Sequence, residues 1–228
     1  MQTISIITSV AFFLPLIMLM ARRLIRDKVL IWFAAYWAWA GMANILFSLD
    51  FVPASKIMLI LQRVYNLFDC PLLLFVLYKT TYIKEVRNSI RKVMLPFFVI
   101  ETAAIAISGF ESMVESILVV MGVLIALYYI GWIILLHMKG THYSNYQHAM
   151  QFIYYALFFE YGVSTINFIY SYMLPDKVSE SDNFLIFYMA SCITILIALY
   201  GILVYKEKIP KKQQKIKKPE LEMEIKYL

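Results

Sequence analysis

What this chain can fold into is constrained first by the spacing of its apolar stretches. Crossing about 30 Å of hydrocarbon takes about 20 apolar residues, and stretches of that length recur at 3–21, 28–49, 56–79, 92–110, 112–138, 148–174 and 183–205. They predict an all-α membrane protein, a seven-transmembrane helix bundle. Composition agrees: of the 228 residues 62% are hydrophobic and 16% charged, and the mean hydropathy is +0.71, outside the range of soluble domains. The fourth stretch is the least regular, because Glu101 interrupts it and only Gly109 to Glu111 separate it from the fifth. Merging the two would leave six.

Linker charges test the count, since Lys and Arg collect on the cytoplasmic side. Arg22 to Lys28, Lys79 to Lys92 and the tail from Lys206 are basic, and Lys139 to His148 weakly so. The linkers near Asp50, Glu111 and Pro175 to Asp182 are acidic or poor in cations. This alternation places the N-terminus outside and the C-terminus inside, in a multi-pass protein of the cell (inner or plasma) membrane. The first stretch has neither a basic leader nor a small-residue cleavage site and is read as a retained helix. Residues 1–205 form the transmembrane domain, and 206–228 a tail that is first basic, then acidic. Its run Lys206–Lys218 suits anionic lipid headgroups, at about 1 kcal/mol per cation near the surface. The net charge of +6 sits mainly in these cytoplasmic parts, so orientation explains it and nucleic acid is not an expected partner.

The third span carries polar residues where lipid-facing residues would be expected. At 100° per residue Gln62, Arg63, Tyr65, Asn66, Asp69 and Cys70 fall on one side, and Ile60, Leu61, Val64, Leu67, Phe68 and Pro71 on the other. Arg63 and Asp69 each cost about 2.5–3.5 kcal/mol at mid-membrane, so they must face protein or water and are functional candidates. Six residues apart, they are not helical neighbours, and their partners must come from other helices. Pro71 is placed to kink the span.

Other spans add to this set. The sixth carries Glu160, Tyr161, Ser164 and Asn167 on one face; the fourth adds Glu101, and the seventh Ser191, Cys192 and Thr194. Asp69 and Glu160 reach similar depth, which makes Glu160 the expected facing group for Asp69. Three deep acids, Asp69, Glu101 and Glu160, stand against one deep base, Arg63. At most one acid is then ionised unless a cation is bound, and the others are protonated or hold a cationic ligand. The alternative is an inert polar glue between helices. The second span's Trp32, Tyr36, Trp37, Trp39 and Asn44 read first as interhelical packing, with a ligand wall as the sharper alternative. His137, His142 and His148 lack metal-ligand spacing, and Cys70 and Cys192 have no disulfide partner in an outer loop.

The run Leu67-Phe68-Asp69-Cys70-Pro71-Leu72-Leu73-Leu74 resembles the third helix of the microbial rhodopsin family, where a leucine-rich run follows a proline; seven spans and an outside N-terminus agree with that family. Aligned on Pro71, the family's arginine position holds Gln62, with Arg63 one place late. Its counterion position holds Tyr65, its tryptophan position Asn66, and Asp69 replaces a threonine. No lysine lies between Asn183 and Tyr205, so the retinal Schiff base cannot form. The resemblance thus implies a rhodopsin-like bundle with a central pocket and no covalent retinal, open to a non-covalent lipid or polyene ligand.

Three functions follow from this reading. The first is a receptor or sensor module with a polar intramembrane pocket, signalling through a separate intracellular protein. The second is a small-solute or proton-coupled transporter, with the surplus acids as protonation sites. The third, an intramembrane lipid-modifying enzyme with Asp69 and Glu160 as an acid/base pair, has no nucleophile motif, metal cluster or phosphate loop behind it. No catalytic residue, metal or cofactor is expected.

Overall fold

A computed structural model describes residues 2–48, 56–108, 112–138, 145–173 and 180–205. The tail run Lys206–Lys218 and His142 lie outside the described residues, and Gln62 is described by its backbone alone.

Pro15 divides the first span. Its nitrogen has no hydrogen to give the Ala11 carbonyl, and helix α1 (Gln2–Ala11) stops before α2 (Leu14–Ala21), which carries the proline in its first turn. Phe12 and Phe13 join the halves, their N–H groups donating to the Thr8 and Val10 carbonyls at 3.2 and 3.0 Å. At the other end of α2, Arg23 takes a left-handed φ of 57°. The Arg23 and Leu24 N–H groups then donate back to the Met20 and Leu19 carbonyls at 3.0 and 2.9 Å, closing the helix. Asp27 starts α3 (Lys28–Ser48), its Oδ1 accepting from the Val29 and Leu30 N–H groups at 2.9 and 3.3 Å.

The remaining helices are α4 (Lys56–Thr80), α5 (Lys84–Ser108), α6 (Ser112–Met138), α7 (Asn145–Met173) and α8 (Glu180–Val204). With α1 and α2 as one broken helix, the described residues are all-α and form seven helices. α5 begins at Lys84 and not at residue 92, because Val86 and Ile90, one turn apart, are both buried in the core and carry the helix through the charged segment. Pro71 and Pro96 sit inside α4 and α5, which run through them as single helices.

Neighbouring helices close a ring: α1/α2, α3, α4, α6, α7, α8 and back to α1/α2, with α5 packed against α4 and α6. Arg22 ties the ring shut at one end, where its guanidinium donates to the Ile202 and Leu203 carbonyls, the latter at 2.8 Å. Those carbonyls belong to the last turn of α8, and among the described residues they have no donor further along the helix. This is the end with Arg22, Arg23, Lys79 and Lys84, called the basic end below.

Over the described residues, five spans are long and apolar enough to cross a membrane: Ile4–Ala21, Lys28–Leu46, Ser116–Met138, Tyr146–Ile169 and Leu185–Val204. α4 and α5 are as long, 25 residues each, and carry more charge. The outer faces expose Ile, Leu, Val and Met along nearly every helix, Leu95, Val99, Ile100 and Ile107 of α5 and Leu61 and Phe68 of α4 included. A surface of that kind is built for lipid, and the chain is a multi-pass membrane protein by these criteria.

Two glycines set the tightest helix contacts. A Cβ on Gly41 would lie 2.8 Å from the Phe12 Cβ and the Ser9 carbonyl, and one on Gly122 would lie 2.8 Å from the Cys70 Cβ. Small residues at such crossings let helices in lipid approach closely. Here they draw the α1–α2 junction onto α3, and α6 onto α4 beside Asp69.

Candidate functional site

α3 and α7 face each other across the ring, joined by side chains. Tyr36 and Trp37 of α3 meet Tyr161 and Glu160 of α7. The Trp37 Nε1–H donates to Glu160 Oε2 at 3.2 Å, and the Tyr36 and Tyr161 hydroxyls are 2.6 Å apart. Asp69 of α4 completes the group, with Tyr36 Oη 3.0 Å from its Oδ1 and Tyr161 Oη 2.6 Å from its Oδ2. Beyond it, toward the basic end, Phe33 packs edge-on against Tyr154 with ring centres 5.7 Å apart.

A cavity of about 210 Å³ opens beside this group, away from the basic end. Asp69, Glu160, Tyr36, Tyr65 and Tyr161 supply its polar and aromatic wall, and Asn44, Asn66 and Ser164 its remaining polar groups. Phe12, Phe168 and Phe187 close the apolar side, with Val119 and Val123 of α6. Asn66 is exposed, so the cavity reaches the surface there. Among the described residues, no lysine, arginine or histidine lines it. Pro15 has a part in this geometry, because the break it makes presents Phe12 to the cavity.

The structure brings together six of the residues singled out from the sequence: Tyr65, Asn66, Asp69, Glu160, Tyr161 and Ser164. The others lie elsewhere. Arg63 is half-buried on α4 and Glu101 buried on α5, and neither lines the cavity. Asn167 is also outside it, with its Oδ1 buried and without a hydrogen-bond partner. Ser191 is buried and donates to the Phe187 carbonyl at 3.0 Å, while the buried Thr194 Oγ1 has no partner. The Gln62 side chain is outside the description. Glu160 shares the cavity with Asp69, but the groups that touch Asp69 are tyrosine hydroxyls.

Sequence reasoning read α3 first as interhelical packing and offered a ligand wall only as the alternative, although the signal for the wall was present. Tyr36, Ala40 and Asn44 recur every four residues and all line the cavity. Trp37 is fully buried, whereas Trp32 and Trp39 are exposed on the lipid side, Trp39 resting on Tyr65 with ring centres 6.4 Å apart. His137 is buried, its Nδ1 2.8 Å from the Ile133 carbonyl oxygen. Among the described residues no group of three or more His, Cys, Asp or Glu is arranged to hold a metal.

Chemically, the site offers two carboxylates, three phenols and aromatic walls in a space smaller than the roughly 300–1,000 Å³ of drug-sized pockets. It suits a small ligand or a proton site. Comparison with protein-family models, curated proteins and solved structures gives no match to this chain, and so no family match supports the rhodopsin resemblance.

Proposed function

We propose that the protein is a membrane receptor or sensor in which all seven helices cross the bilayer, with the N-terminus outside and the basic end in the cytoplasm. A small molecule occupies the cavity beside Asp69 and Glu160, and a separate intracellular protein reads the response. The observation that carries this reading is the cavity itself, which combines an exposed rim at Asn66 with a wall drawn from six of the seven helices. The apolar outer faces of α4 and α5 support seven spans, and the arginines and lysines at one end support the orientation. The rhodopsin resemblance supports a bundle with a central pocket and no more, since α8 has no lysine for a Schiff base.

Below the cavity the interior is filled by Leu73, Leu77, Ile130, Ile133, Ile153 and Ile195, all buried. That favours a receptor over a pathway through the bundle. Ligand contact with Tyr36 or Tyr161 would be felt at the basic end through the packed rings of Trp37, Phe33 and Tyr154. A proton-coupled carrier is the second reading, favoured by two carboxylates on one cavity wall.

Native mass spectrometry of the purified protein tests the pocket. A small molecule retained by the natural sequence and lost in Ala40→Trp, which fills the cavity, is the expected result. Proton uptake into liposomes that depends on Asp69 and Glu160 would favour the carrier. Neither a retained ligand nor uptake would sink both readings.

A further inference from the structure

Tyr36, Tyr161 and Asp69 form a closed triangle whose sides are 3.0, 2.6 and 2.6 Å. Every side is at hydrogen-bond distance, and every hydrogen bond needs one proton. The two phenols own one proton each. If both donate to an ionised Asp69, the two hydroxyl oxygens face each other at 2.6 Å with no hydrogen between them. A third proton on the carboxyl resolves this. Asp69 then donates to Tyr36, Tyr36 to Tyr161 and Tyr161 back to Asp69, so each group gives once and accepts once.

We infer that the cavity takes a small organic cation, an ammonium ion of the primary or quaternary amine type, and that this cation replaces the proton closing the triangle. The inference rests on the ligand-pocket reading above and names the ligand class. Three observations select it. Among the described residues the lining has two carboxyl groups and no basic residue, which disfavours an anion. The rings of Tyr65, Phe12, Phe168 and Phe187 line the same space, and aromatic faces attract cations where water is excluded. The third is the triangle, which holds one removable positive charge at the point where an ammonium would sit.

The exchange balances. The Asp69 O–H bond breaks and its proton leaves to solvent. Tyr36 still donates to Tyr161 and Tyr161 to Asp69, and the 3.0 Å side between Asp69 and Tyr36 gives up its hydrogen bond while a ligand N–H, or the whole cationic head of a quaternary amine, faces the resulting carboxylate. One positive charge enters and one leaves, so the site buries no net charge. Groups facing Asp69 are Tyr36 from α3, Tyr65 from its own helix, and Glu160 and Tyr161 from α7; α6 presents Val119 and Val123, α8 Phe187 and the α1–α2 junction Phe12. Glu101 is buried on α5 and Arg63 lies six residues before Asp69, both off the cavity wall.

Calorimetric titration of the purified full chain with phenethylammonium and tetramethylammonium, against neutral 2-phenylethanol, tests this at pH 6, 7 and 8 in buffers of different ionisation enthalpy. The expected result is binding of at least one cation and not the alcohol, release of one proton per cation, and an affinity that rises up to tenfold per pH unit. Asp69→Asn, which keeps the size and hydrogen-bonding capacity of the acid, should abolish cation binding and proton release; Glu160→Gln should weaken binding while proton release from Asp69 persists. Equal binding of the alcohol overturns the cation class and leaves the pocket reading standing, and cation binding retained in Asp69→Asn overturns the exchange at Asp69. Binding with no proton release overturns the exchange. If no cation binds, the inference fails, and the mass-spectrometric experiment decides separately whether the pocket holds anything.

Discussion

Trp37 donates its indole N–H to Glu160 at 3.2 Å, one residue along from the point where Tyr36 meets Tyr161. Consecutive residues on α3 thus pair with consecutive residues on α7. A helix advances 100° per residue, so adjacent side chains diverge, and it is the length of the Tyr36 and Trp37 side chains that lets both reach across the ring to α7. The double contact fixes the rotation of α3 against α7 and decides which side chains face the cavity.

Replacing Trp37 by Phe leaves the Glu160 carboxyl without its donor. Leaving a buried acceptor unmade costs about 1–3 kcal/mol. A double-mutant cycle of Trp37→Phe with Glu160→Gln, read by unfolding in mixed detergent, should return a coupling of about 0.5–3 kcal/mol. Additive losses would mean that the bond does not hold α3 to α7.

The tyrosines should behave in the opposite sense to independent groups. Tyr36→Phe removes two sides of the triangle, and so does Tyr161→Phe, because the side between the hydroxyls is common to both. The double variant removes three sides, one fewer than the two singles together. Its loss of stability should therefore fall short of their sum by about 0.5–1.5 kcal/mol, the net worth of one hydrogen bond. A sum met in full would show that the triangle does not act as a unit.

Arg22→Gln uncaps the last turn of α8, where Ile202 and Leu203 lose a charged donor. One of these contacts is solvent-exposed, so the expected loss is about 1 kcal/mol rather than the 1.5–3 of a buried charged bond. Hydrogen exchange gives the sharper reading. The Tyr205 amide, bonded to the Gly201 carbonyl at 3.1 Å, should exchange faster in Arg22→Gln and recover in part in Arg22→Lys. Unchanged exchange would show that the guanidinium does not hold this turn.

The membrane class was legible because hydropathy over twenty residues is a sum, and single exceptions do not cancel it. Six cavity residues were legible for a related reason: Asp69 and Glu160 are costly in lipid, and Tyr65, Asn66, Tyr161 and Ser164 share helix faces with them. Arg63 and Glu101 carry the same cost and lie off the cavity, because charge says that a group must face protein or water and not which protein face. The part played by α3 stayed between two readings, since aromatic residues pack between helices and line pockets with the same composition. Only the closing of the ring, which sets Tyr36 against Asp69 and Tyr161, separates the two. The break at Pro15 was not read from the sequence, where the first stretch counted as one helix, and its use, turning Phe12 toward the cavity, depends on Gly41 admitting the junction onto α3.

Glycine substitutions on α6 and α7 should separate close helix packing from helix propensity. A Cβ at Gly122 meets the Cys70 Cβ at 2.8 Å and its Sγ at 3.1 Å, and the same thiol donates to the Gly122 carbonyl at 3.1 Å. A Cβ cannot swing aside as the end of a long side chain can, so Gly122→Ala must push α6 from α4. The expected cost is about 1–3 kcal/mol, the range for overpacking. At Gly162 an added Cβ meets nothing within 4 Å, so Gly162→Ala should gain up to about 1 kcal/mol from helix propensity alone. Asp69 adjoins Cys70, so Gly122→Ala should also disturb the triangle, and the coupling between Tyr36→Phe and Tyr161→Phe should shrink in its background. Cys70→Gly should restore the α4–α6 spacing in the Gly122→Ala chain, with a propensity cost of its own on α4. If Gly122→Ala and Gly162→Ala shift unfolding alike, the α4–α6 crossing is looser than 2.8 Å implies, and Asp69 is not held in place by it.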